Sequence, residues 1–169
     1  MNILMLNPPF IGKFSRTSRS PAITKGGTIY YPFWLAYATG VLERKGFNVG
    51  LIDAPAEGMT TEDVIERIKE FIPKLVILDT STPTIYNDIR VGEAIRDAFP
   101  NSYIVLVGTR PSALPEETLQ LSEKINAVAR REYDYTLRDL AYVLQDKNDL
   151  HSNGLFLVKG HPILQKLRA

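Results

Sequence analysis

The sequence predicts an α/β domain, with five parallel strands in one sheet and helices on both faces. Three observations carry this. Short, continuous apolar runs recur along the chain, each closed by proline, glycine or hydroxyl residues, as strands buried on both faces require. Between them, apolar residues repeat at helical spacing. No two runs are close enough for a tight hairpin, so every connection is a crossover, which parallel pairing demands. Five such strands most often take the flavodoxin-like order 2-1-3-4-5.

Residues 2–7 (Asn-Ile-Leu-Met-Leu-Asn) form the first strand, ended by Pro8-Pro9 because proline cannot continue a central strand. Residues 10–31 read as one long loop, and loops of that length are usually functional or disordered. Gly26-Gly27-Thr28 near its end either turns backbone N–H groups toward a ligand or lies in a surface excursion. Pro32 suits a first helical turn; Trp34, Leu35, Ala38, Val41 and Leu42 then recur at helical spacing, and Gly46 is placed as the stop. Residues 48–53 form the second strand. Thr60 with Asp63 is a capping pair for a helix whose apolar face is Val64, Ile65, Ile68, Phe71 and Ile72, ended by Pro73.

Residues 74–79 supply the third strand. Thr80-Ser81-Thr82-Pro83-Thr84 then crowds hydroxyls at its carboxyl end, either as helix caps or as donors to a polar ligand. The helix they open turns Ile85, Ile89, Gly92, Ile95 and Phe99 inward. The fourth strand, residues 103–107, stops at Gly108, where a missing side chain lets the backbone approach a ligand closely. Pro115-Glu116-Glu117 starts a short helix with its acids set against the dipole. Residues 125–129 form a fifth strand, and Thr136 with Asp139 caps a last helix. Residues 154–160 read as an edge strand or half a hairpin within a connector, residues 146–169, that follows a domain of residues 1–145.

Composition removes several chemistries. A net charge of +1 offers no concentrated cationic face for nucleic acid. With no cysteine there is no disulfide, thiolate metal site or thiol nucleophile within the chain. The two histidines, His151 and His161, both lie in the connector. No apolar run approaches the roughly 18 residues of a membrane span, and the cytoplasm is the expected location. The turn after the first strand lacks the Gly-x-Gly-x-x-Gly of dinucleotide sites, and no phosphate loop occurs. Asp79 sits where a phosphoacceptor aspartate would, without the acids and lysine that chemistry needs; it reads as a polar strand terminus. Ligands of open parallel sheets bind past the carboxyl ends of the strands, and what is expected there is binding rather than catalysis.

Several ordered pieces then form a recognisable set. They are Asn7-Pro8-Pro9, Tyr31-Pro32-Phe33, Leu35-Ala36-Tyr37, Gly40-Val41-Leu42, Gly46-Phe47-Asn48-Val49, Ile52-Asp53-Ala54, Gly108 to Glu116, Ala127-Val128, and Glu132 with Tyr135-Thr136-Leu137. Together they resemble the N-terminal domain of cobalamin-binding radical SAM proteins, which include methyltransferases and the anaerobic cyclase of chlorophyll-precursor synthesis. The resemblance implies a corrin lying across the carboxyl edge, with its nucleotide tail between sheet and helices. It places Asn7 and Pro8 beside the corrin, Ser81 and Thr82 along the tail or lower face, and Gly108 with Thr109 at the close approach. Cobalt would lack a lower histidine from this domain. A missing radical SAM domain of the same protein would be the partner, bringing a 4Fe-4S cluster and S-adenosylmethionine. The chain departs from the family at Gly108-Thr109-Arg110, where Gly-Gly-His is usual, and at Arg130-Arg131-Glu132-Tyr133, where glycines are. The alternatives are a cofactor-free docking module of the same fold and a sugar-nucleotide enzyme, the latter lacking a general base near Gly108.

Overall fold

The computed structural model describes residues 1–17, 22–23, 26–146 and 156–158. In chain order, β1 (Asn2–Asn7) is followed by β2 (Phe14–Ser15) and β3 (Ala22–Ile23), then α1 (Phe33–Glu43), β4 (Asn48–Asp53), α2 (Ala54–Glu57) and α3 (Thr61–Arg67). β5 (Leu75–Thr80) leads through a 3-10 turn, Thr82–Thr84, into α4 (Ile85–Ala98) and β6 (Tyr103–Gly108). Two short helices, α5 (Thr109–Ala113) and α6 (Pro115–Gln120), precede β7 (Ala127–Ala129), α7 (Asp134–Asp146) and β8 (Phe156–Val158).

β4, β1, β5, β6 and β7 pair in parallel in that order, which is the 2-1-3-4-5 arrangement expected. β8 adds an antiparallel sixth strand beside β7. It lies within the span expected to hold an edge strand; residues 154–155 and 159–160 of that span are outside the described residues, as are His151 and His161.

Two apolar layers flank the sheet, because alternate residues of each central strand point to opposite faces. Ile3, Met5, Leu75, Ile77, Val105, Val107, Ala127 and Ala129 meet Leu35, Ala38 and Leu42 of α1 and Leu137, Leu140 and Ala141 of α7. On the other face Leu4, Leu6, Val76, Leu78, Ile104 and Leu106 meet Val64 of α3, Ile85, Ile89 and Ile95 of α4, and Leu119 of α6. Gly92 sits where α4 presses on the sheet: a Cβ there would lie 2.9 Å from Leu78 Cδ1 and 3.0 Å from Ile125 Cδ1.

Several local expectations are corrected. The loop of residues 10–31 contains the β2–β3 ribbon, with Phe14 paired to Ile23 and Ser15 to Ala22. The third strand runs one residue later than expected, ending at Thr80. Helix α3 stops at Arg67, and Ile72 is 61% exposed with φ of 45° instead of facing the core. The chain must reverse there to enter β5, and that reversal outweighs the helical spacing. Thr136 is not a cap, because α7 already begins at Asp134 and buries Thr136 in its first turn. The Thr60–Asp63 capping box is present as predicted.

Candidate functional site

At the carboxyl edge the last rung of the sheet turns polar. Register pairs Asn7 with Asp53, and the next pair along β1 and β5 after Leu6–Leu78 would be Asn7 with Asp79. Asn7 Nδ2 donates to Asp53 Oδ1 at 2.7 Å. The loop after β1 folds back over this rung and inserts Arg16, whose side chain is 1% exposed. Its guanidinium donates to Asn7 Oδ1 at 3.0 Å, to the Pro8 carbonyl at 2.7 Å and to Asp88 at 2.5 and 3.4 Å. The rings of Phe10 and Phe14 lie 5.7 and 5.9 Å from its Cζ, so the cation is closed in by aromatic faces.

Asp88 is wholly buried on α4, where Thr84 Oγ1 also donates to it. Burial pushes its carboxyl above the usual range, with Arg16, Thr84 and Asn87 pulling the other way. Burial likewise raises Asp53, against the hydrogen bond from Asn7. Asp79 is pushed up to about 7, by burial first, then by the charges of Asp88 and Asp53, with Arg16 opposing.

The hydroxyl cluster divides. Ser81 and Thr84 bond each other around the 3-10 turn, and Thr80 Oγ1 donates to the Val107 carbonyl at 3.0 Å, so these three serve the fold. Thr82 is exposed. Gly108 has φ of 108°, and the place a Cβ would take is filled by the Thr80 carbonyl oxygen, with Asp79 Oδ1 2.9 Å away. Its glycine is therefore required by the neighbouring strand, whatever ligand lies above. Thr109 follows, exposed, as the first residue of α5.

Thus Asn7, Pro8 and Ser81 lie buried beneath the rim, while Thr82, Gly108 and Thr109 reach it. Sequence reasoning missed Arg16 and Asp88, and read Asp79 as a polar strand terminus. Asp88 left a signal: it shares the inward stripe of α4 with Ile85, Ile89 and Gly92, and a buried acid needs a partner. Arg16 left none, because loop residues have no period.

The B12 binding domain family model matches residues 19–141. The chain belongs to this family. It is 29% identical, over 89% of its length, to an uncharacterised methyltransferase of Pyrococcus horikoshii, and 28% identical, over its whole length, to an anaerobic magnesium-protoporphyrin IX monomethyl ester cyclase of Synechocystis. It spans only 31% and 33% of those two relatives. Among solved structures it resembles the apo form of the cobalamin-dependent S-adenosylmethionine radical enzyme OxsB, with a TM-score of 0.58 at 20% identity, covering 90% of this chain and 19% of that one. That likeness is one of fold.

The residues at the rim fit a corrinoid. Thr82 and Thr109 offer exposed hydroxyls at the rim, beside Gly108, which contributes no side chain of its own. Among the described residues no histidine stands at this edge, and no cluster of histidine or acidic residues could hold a bare metal ion.

Proposed function

We propose that this domain holds cobalamin across the carboxyl edge of its sheet and presents it to the catalytic domain of a larger radical SAM protein. The supporting observation is the membership of the B12 binding family together with the exposed hydroxyls of Thr82 and Thr109 at the carboxyl rim. Gly108, Thr109 and Thr82 would touch the macrocycle or its amide fringe, while Asn7, Pro8 and Ser81 hold the rim in shape from below. Bound cobalamin supplies a cobalt centre that carries a methyl group or an electron, and no imidazole from the described residues would ligate it.

The relatives support methyl transfer or tetrapyrrole ring cyclisation as the parent activity; a 4Fe-4S cluster and S-adenosylmethionine would be held in its other part. Residues 1–145 then form the cobalamin unit and residues 146–169 the connector. Tyr30, Tyr31, Phe33, Trp34 and Tyr37, all at least 40% exposed and grouped at the start of α1, suit a surface covered by that partner domain. No helix among the described residues is long and apolar enough to cross a membrane, and this reading fits a cytoplasmic protein that binds no nucleic acid. A cofactor-free docking module is the second reading, favoured by how fully Arg16 fills the β1 side of the edge.

Mixing the chain with hydroxocobalamin and removing free corrin by gel filtration tests the proposal. The expected result is a visible corrin spectrum travelling with the protein at about one equivalent. Protein that emerges colourless favours the docking module.

A further inference from the structure

Beneath its exposed rim the carboxyl edge is closed. A continuous bar of hydrogen bonds runs from the end of β1, through the first turn of α4, to the end of β5. Arg16 donates to Asn7 Oδ1 at 3.0 Å and to Asp88 at 2.5 and 3.4 Å. Thr84 Oγ1 donates to Asp88 at 2.5 Å, and Ser81 Oγ lies 2.9 Å from Thr84 Oγ1. All five residues are at most 6% exposed. Asn87 Nδ2 ties the loop after β1 to α4 a second time, through the Pro9 carbonyl at 2.7 Å. The seam between sheet and helix on that side is thereby sealed.

The opposite face is closed by apolar packing. α1 and α7 lie against each other over the sheet, and Leu35, Ala38, Leu137, Leu140 and Ala141 between them are wholly buried. Tyr133 joins the same layer just past β7. What the edge offers a ligand is therefore surface, with the exposed Thr82 and Thr109 on it.

A cobalamin has two parts that ask different things of a protein. Its corrin ring is flat and fringed with amides, and can rest on an edge. Its nucleotide tail is bulky and needs a slot if it is to be held. Admitting it beside α4 would draw Arg16 away from Asp88, and stranding one member of a buried ion pair would weaken binding on the order of 10²- to 10³-fold. Admitting it on the other face would part side chains packed at interior density.

We infer that this domain recognises a corrinoid by its ring and amide fringe alone, with the nucleotide tail held out by the Arg16 bar and the α1/α7 packing. This rests on the cobalamin reading above and names its ligand class as corrinoids with or without a lower base. Ser81 in this arrangement braces the bar and touches no tail.

Cyanocobinamide, which lacks the nucleotide, is the probe, set against cyanocobalamin by equilibrium dialysis of the chain with corrin absorbance as the readout. Cobinamide is expected to bind as tightly as cobalamin or more tightly, and to displace it competitively. α-Ribazole, the nucleoside of the tail, should in millimolar excess neither displace the corrinoids nor raise the thermal midpoint. If cobalamin binds about tenfold or more tightly than cobinamide, or if α-ribazole binds, the protein holds the tail, for instance in the groove lined by Phe10, Ile11 and Met59. That result overturns the inference while cobalamin binding stands. If neither corrinoid binds, both readings fall.

Discussion

Arg16 is the residue on which the carboxyl edge depends. It is a buried cation that satisfies Asp88, Asn7 and the Pro8 carbonyl together, and it pins the loop after β1 to the first turn of α4. Removing one member of a buried ion pair strands the other, at a cost of about 3–5 kcal/mol, whereas replacing both with apolar groups is often close to neutral. Arg16→Met should therefore destabilise the domain by that amount in urea unfolding, and Arg16→Met with Asp88→Leu should recover most of it. Equal losses in the single and double variants would show that the pair is not coupled. The pair was half legible in the sequence. An acid on the inward stripe of α4 announced that a cation was needed, but only the folded loop identified it. Gly108 is the reverse case. The sequence singled out the position for a ligand's approach, and the structure shows that the Thr80 carbonyl of the neighbouring strand already excludes a side chain there.

At the scale of elements, capping chemistry and strand runs were the readable parts. Thr60 and Asp63 form a reciprocal box on α3, in which the Thr60 backbone and hydroxyl hold the exposed Asp63 carboxyl below its usual range. Thr60→Ala should cost about 1 kcal/mol of stability, read as a lower urea midpoint with an unchanged slope. An unchanged midpoint would mean that α3 is held by Val64 and Ile68 alone. Elements without a period were not legible. The β2–β3 ribbon has two residues per strand, too few for an alternation to register. Helix α5 begins with Thr-Arg-Pro, which reads locally as a break in structure, yet Pro111 falls in its first turn, where the missing N–H costs nothing.

At the scale of the molecule, the pH response belongs to the whole edge. Burial raises the carboxyls of Asp53, Asp79 and Asp88 above their unfolded values, Asp79 to about 7. Each holds its proton more tightly folded than unfolded. Stability is therefore greatest below the unfolded value of 3.8 and is lost as pH rises through the folded values, up to about 7 for Asp79. The urea midpoint should fall between about pH 5 and pH 8, and Asp79→Asn should remove on the order of 2 kcal/mol of that fall. Asp79 keeps some contact with solvent, which screens its carboxyl and holds the loss below the full shift. A midpoint that rises over this range would show that the edge favours three ionised carboxylates.

The sequence by itself determined the class of the sheet, its strand order, the two apolar layers and the family resemblance. All of these rest on periodicity and on motifs spaced along the chain, which are local properties. The tertiary structure alone decided which polar groups meet. Arg16 reaches Asp88 across 72 positions of sequence, and Asn7 reaches Asp53 across 46. Register and loop folding set these meetings, and no local pattern encodes them. The carboxyl edge was thus predictable as a place, while its charge balance became visible only once the strands were paired and the loop was laid over them.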